Sequence, residues 1–233
     1  MPEGTAVTEG AAGPAWGRTG GAPTGPPTDV PPRLVPLLRQ YDWGVGRLLD
    51  RLRGPVVDSG DGERVAVVPL DDAEYRWEPV PGAWSVRRHA DGPAPGATVL
   101  VGAGEWGRDG GRPHPWPPPV TTIAWRTTHL LEMLELRAEH TVGDRRRLEG
   151  DLRYPGDAAG AVAALEAAAG AWRYALTTAD DAALDQVGRS TYPDGDDAEM
   201  PFLDLVWWMN QEVLHHGAEI ALLRDLYAAA HRA

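Results

Sequence analysis

Four stretches of this chain repeat apolar residues at steps of three and four, and no other feature narrows its fold so far. The first runs through Leu34, Leu38, Tyr41, Val45, Leu48 and Leu52 and ends at Gly54-Pro55. The second, "TTIAWRTTHLLEMLELRAEHT", opens at Thr121 or Thr122 after three prolines. The third carries Val162, Leu165, Ala169, Trp172 and Leu176 along one stripe, and the fourth begins near Pro201, a residue suited to a first helical position. This spacing puts an apolar face on a helix. Four such helices of roughly five turns each predict an all-α four-helix bundle.

Between the first two helices lies a long insertion, residues 54–118. Within it "ERVAVVPL" reads as a short strand and "DDAEYRW" as a short helix capped by Asp71 or Asp72. The remainder is dense in Gly, Pro and Trp and reads as irregular. It is too long for an ordinary connection, and its tryptophans argue for partial packing. Residues 1–30 hold almost no large apolar side chain, so they cannot offset their chain entropy. The chain therefore reads as a disordered tail, 1–30, followed by one domain, 31–233.

The net charge is −12 and the pI about 5.0. Such a chain repels phosphate backbones, which speaks against nucleic acid as a partner. With no cysteine, any metal must be held by nitrogen and oxygen. No apolar run approaches the ~18 residues of a membrane span, and no signal peptide is evident. The expectation is a soluble cytoplasmic protein.

The fourth stretch, "DLVWWMNQEVLHHGAEIALLRDLY", is where chemistry is expected. Its stripe reads Leu205, Met209, Glu212, His216, Ile220, Leu223 and Tyr227. Glu212 and His216 thus occupy interior positions, four apart, on one face. Burying an unpaired carboxylate costs several kcal/mol, roughly, so a compensating partner is needed. The second helix offers one, since His129 falls on the stripe Thr122, Trp125, His129, Met133, Leu136. Two imidazoles and a carboxylate suit zinc, with a position left open, or ferrous iron. The alternative is a buried Glu–His hydrogen bond with His129 as a core residue. His215, a third of a turn away, stands either as a ligand in place of His216 or as a donor behind it.

Other motifs fail. There is no H-E-x-x-H string and only one E-x-x-H, "EVLH", where a di-iron bundle needs two. "GAGEWG" lacks the strand and helix that a phosphate loop requires. No G-x-S-x-G string is present. Tyr41 and Trp84 are candidate pocket-lining residues, and Arg126, beside the His129 stripe, a candidate contact for an anionic substrate.

"WEPVPGAWSVRRHADG", "TTIAWRTTHLLEM" and "NQEVLHHGAEIALLRDLY" together resemble the DinB-like superfamily, near its mycothiol-dependent maleylpyruvate isomerase branch, over about residues 33–230. The resemblance implies an up-down-down-up bundle. It implies a divalent metal (zinc, nickel or iron) held by His129, Glu212 and His216. Many members carry His where this chain has Gln211, and that departure favours Glu212 with His216. The resemblance further implies an enzyme that uses a low-molecular-weight thiol such as mycothiol on a small-molecule substrate, as an S-transferase or isomerase. A non-catalytic metal-binding bundle that pairs into a homodimer, with a stress-linked role, is the alternative.

Overall fold

The computed structural model describes residues 30–54, 56–58, 64–66, 68–192 and 199–231. The tail expected over residues 1–30 lies, but for Val30, outside them. Four long helices carry the described chain: α1 (Val35–Arg53), α3 (Ile123–Val142), α4 (Ala158–Thr177) and α6 (Phe202–His231). Short helices α2 (Asp72–Tyr75) and α5 (Asp181–Leu184) sit in the connections.

The helix ends follow from local chemistry. Gly54 closes α1 in a left-handed conformation at φ 70°, which costs glycine little. Thr122 caps α3 by accepting from the Trp125 amide, and Asp157 caps α4 by accepting from Gly160. Asp71 does the same for α2.

Pairings between the helices fix their directions. Along α1 and α6 the residue numbers climb together: Asn210 donates to the Leu37 carbonyl, and Arg51 donates to that of Ala221. These two helices run parallel. Against α4, α1 runs the other way, since Tyr41 meets Ala169, Asp42 meets Arg173 and Arg53 meets Glu166. Helices α3 and α6 also oppose one another, with Arg137 over Trp208 at one end and Arg126 beside Glu219 at the other. One continuous core fills the space among all four, with Trp172, Tyr41, Leu38, Leu130 and Met209 fully buried.

The insertion is not irregular throughout, and here the all-α expectation is corrected. Strands β1 (Val56–Asp58) and β2 (Arg64–Ala66) form an antiparallel pair. Strands β3 (Val86–Arg88), β4 (Val99–Val101) and β5 (Trp106–Gly110) form an antiparallel sheet in the order β3-β5-β4. Val86 lies opposite Arg108 on one side of β5, and Val101 opposite Arg108 on the other. Asp109, fully buried, ties the sheet to its loops. Its carboxylate accepts from the Ser85 and Ala94 amides and from Arg87 Nε, all within 2.9 Å. The rejected glycine run "GAGEWG" turns out to be the β4–β5 turn and the start of β5. Gly102 there has φ 107°, and a Cβ on it would strike the Tyr154 ring at 2.6 Å.

The sheet's role is to hold the start of α3. Trp84 and Thr121 form a short parallel bridge, and the Trp125 indole donates to the Asp109 carbonyl at 2.8 Å. The first turn of α3, where His129's stripe begins, is thereby pinned to β5.

Candidate metal centre

Helices α3 and α6 cross where their polar side chains meet. One ligand atom each from His129, Glu212 and His216 lies within 4.8 Å of the others. The rings of His129 and His216 meet edge to face, centroids 4.9 Å apart. The three residues singled out from two separate helices therefore converge.

His216 is the centre of the group, with its side chain 6% exposed. Its Nδ1 lies 2.6 Å from Glu219 Oε2, and its Nε2 lies 3.1 Å from Glu212 Oε2. A neutral imidazole carries one proton. If Nδ1–H donates to Glu219, the Nε2 lone pair faces a carboxylate lone pair, which is repulsive unless a cation joins them. Ligands held about 2.0–2.2 Å from a zinc-like ion stand roughly 3.0–3.5 Å apart, so a 3.1 Å separation suits two donors of one ion.

His129 is placed by stacking. Its ring lies on Trp125, centroids 5.1 Å apart and planes 23° from parallel. Its Nδ1 is buried and has no hydrogen-bond partner among the described residues. Burial drives its pKa well below the ordinary histidine value, and the cations Arg108 and Arg126 push it further down. The imidazole is therefore neutral near pH 7, the form that can offer a lone pair.

Glu212 departs from expectation in one respect. Its side chain is 22% exposed, so the centre opens to solvent on the Glu212 side and is not a dry interior. The apolar contacts of α6 run instead through Val206, Met209, Val213 and Ile220. When His216 Nε2 carries a proton, its hydrogen bond holds the Glu212 carboxyl below its ordinary pKa, against the opposing effect of burial; a metal at Nε2 would take that proton's place.

Charge around the cluster is balanced by Arg126. Its Nε lies 3.1 Å from Glu219 Oε2, and its guanidinium sits over Trp125. Burial pulls its pKa down, and Glu219 and Glu212 partly offset this. With neutral histidines, Glu212, Glu219 and Arg126 sum to −1, which a divalent cation turns to +1. The donor set, the 3.1 Å separation of Glu212 from His216 and the unpartnered imidazole nitrogen fit a divalent metal.

The remaining candidates separate. Trp84 is buried in a small apolar cluster with Ala94 and Trp125, one layer behind His129. Tyr41 lies elsewhere, in the core between α1 and α4, where its only donor is given to the Ala169 carbonyl at 2.8 Å. It packs the core and does not join the cluster. His215 is 63% exposed and points its Nε2 at Glu219 Oε1, 3.3 Å away. His215, His216 and Glu219 form a second cluster able to approach an ion. Glu219 had no assigned role from the sequence, although its three-residue step from His216 put it on the same face.

A sequence model of the DinB superfamily matches residues 105–220, a span that takes in β5, α3, α4 and the part of α6 that bears the cluster. No curated protein and no solved structure matches the chain.

Proposed function

We propose that this chain is a divalent-metal-binding member of the DinB superfamily, with His129, Glu212 and His216 as the ligands. The observation that carries the reading is the meeting of the three donor atoms within 4.8 Å, one of them on an imidazole whose other contacts leave a buried nitrogen unpartnered. The match over residues 105–220 supports it. So does the helix order: α1 and α6 parallel, α3 and α4 reversed, consistent with an up-down-down-up four-helix bundle.

Zinc, nickel and iron all accept this donor set. When bound, the divalent ion supplies Lewis acidity, which lowers the pKa of a coordinated water or thiol. The chain's own residues do the rest. The partly exposed Glu212 leaves access for a small molecule, and Arg126 offers a cation to an anionic substrate beside it. Trp84 and Trp125 form the apolar backing. The chain has no cysteine, so sulfur chemistry at this centre needs a thiol from outside. From the resemblance of the α3 and α6 motifs we favour an enzyme of the mycothiol-dependent S-transferase or isomerase kind, acting on a small molecule.

A non-catalytic bundle is the second reading. Trp207 and Leu222 on α6 are 57% and 59% exposed, and Trp43 on the neighbouring α1 is 54% exposed. Such exposed apolar side chains on two neighbouring helices favour a surface that a second copy of the chain covers.

Elemental analysis of purified protein beside the Glu212→Ala variant tests metal binding. About one equivalent of metal in the parent, lost in the variant, is the expected result. Equal and negligible metal in both sinks the reading. A thiol-conjugation assay with mycothiol and a generic electrophile then separates enzyme from non-catalytic bundle. Turnover that is unchanged by His129→Ala removes the enzyme reading.

A further inference from the structure

Two adjacent imidazoles, His215 and His216, compete for one place in the centre, and both touch the same carboxylate. We propose that Glu219 is the positioning residue that decides between them: it holds His216 inward as the ligand and His215 outward as a bystander. The inference rests on the metal reading above.

The geometry is asymmetric. Glu219 Oε2 accepts a hydrogen bond from His216 Nδ1–H at 2.6 Å, a short charge-assisted bond. That contact fixes the tautomer and turns Nε2 toward Glu212 at 3.1 Å. The other oxygen, Oε1, meets His215 Nε2 at 3.3 Å. The ring of His215 is thereby stacked on that of His216, centroids 4.8 Å apart, with most of its surface in solvent. A carboxylate behind a ligating imidazole orients the ring and raises its basicity.

Glu219 is itself held. Arg126, from the opposite helix, places Nε 3.1 Å from the same Oε2. Arg126 thus anchors across the α3–α6 seam, so the relay runs from Arg126 through Glu219 to His216. The same contacts argue against His215, His216 and Glu219 as the primary ion site. An ion there takes the Glu219 oxygens away from Arg126 and leaves a partly buried guanidinium without its partner.

The test is zinc affinity of the full chain, measured by competition with a chromophoric chelator. It is supplemented by the visible spectrum of the cobalt(II) form, which reports the donor set directly. Glu219→Gln keeps the size of the side chain but loses its charge, and is expected to weaken zinc binding by about 10–100-fold. Glu219→Asp is expected to recover part of the loss. His215→Ala should bind as the parent does and give the parent's cobalt spectrum, whereas His216→Ala should lose the site. Thermal unfolding of each apo-protein identifies any variant that simply misfolds. Parent-like zinc affinity in folded Glu219→Gln, or loss of affinity in His215→Ala equal to that in His216→Ala, overturns the positioning role. If the parent binds no zinc or cobalt, the metal reading itself has failed, which is a different result.

Discussion

Arg108 and Glu132 form an ion pair 2.6 Å long inside the protein, with both side chains less than a tenth exposed. The Tyr154 hydroxyl donates to the same carboxylate oxygen, and the Arg108 guanidinium lies over Trp125, the ring that carries His129. Burial alone disfavours the charged guanidinium, but Glu132 and Tyr154 outweigh it and raise the Arg108 pKa above its ordinary value. The pair joins β5 to α3 one turn beyond His129.

Breaking that pair from one side strands a charge. Glu132→Ala or Arg108→Ala is expected to cost about 3–5 kcal/mol, read from urea unfolding. Replacing both at once, Arg108→Met with Glu132→Leu, should cost much less than the sum of the single changes, because no charge is left unpaired. Additive losses in the double variant count against the pair being coupled.

The unpartnered Nδ1 of His129 makes a second, opposite prediction. An unsatisfied buried polar atom costs about 1–3 kcal/mol. Without metal, His129→Leu should therefore fold at least as stably as the parent, by up to about 1 kcal/mol more once imperfect packing is allowed for. With excess zinc the order should reverse: the parent's melting temperature rises through binding to the native state, and that of the variant does not. A zinc-dependent rise in His129→Leu equal to the parent's shows that the ion sits elsewhere.

His129 also gives the apo-protein a pH dependence of definite sign. Its folded pKa lies well below the value of 6.5 it would have when unfolded. As pH falls below that unfolded value, the unfolded chain takes up a proton that the folded one refuses, so stability is lost. The expected slope from this one residue approaches about 1.4 kcal/mol per pH unit between pH 6 and the folded pKa. Chelator-treated parent and His129→Leu should diverge below pH 6 in denaturant midpoint, the parent falling faster. Parallel curves contradict a depressed pKa.

The helices, and the convergence of His129, Glu212 and His216, were legible in the sequence for the same reason. Period is a local property, and Leu38, Tyr41, Leu48 and Leu52 on α1 announce it without knowledge of the partner helix. Glu212 and His216 stood out because polar residues broke such a stripe. The sheet gave no comparable signal. Val86–Arg88 and Val99–Val101 are three residues each, too short to show alternation, and β5 reads "WGRDG". Its glycines are a tertiary requirement: a Cβ on Gly107 would meet His89 and Leu100 at 2.8 Å. Tyr41 misled because a buried tyrosine with a backbone partner and a pocket tyrosine have the same local pattern. The contacts of Glu219, with His216 Nδ1 within α6 and with Arg126 from α3, depend on ring orientation and helix packing, which no local pattern shows.

A last prediction concerns Gly156, just before α4. A Cβ at this position would sit 2.0 Å from Trp106 Cε2 and 2.4 Å from its Nε1. Movement of Trp106 is restricted, since Arg76 and Arg88 lie over its ring at 5.7 and 5.2 Å and the partly buried ring packs against the core. Arg76 also donates to the Gly156 carbonyl, so the backbone there is tied as well. Gly156→Ala is thus expected to destabilise by about 1–3 kcal/mol, the range for overpacking a filled site. Trimming the ring in Gly156→Ala with Trp106→Leu should return part of that loss, because the two changes share one space. Zinc affinity of folded Gly156→Ala should stay that of the parent, since neither Gly156 nor Trp106 is among the residues that meet at His216. If Gly156→Ala unfolds at the parent's denaturant midpoint, the close approach of the glycine to the indole is wrong.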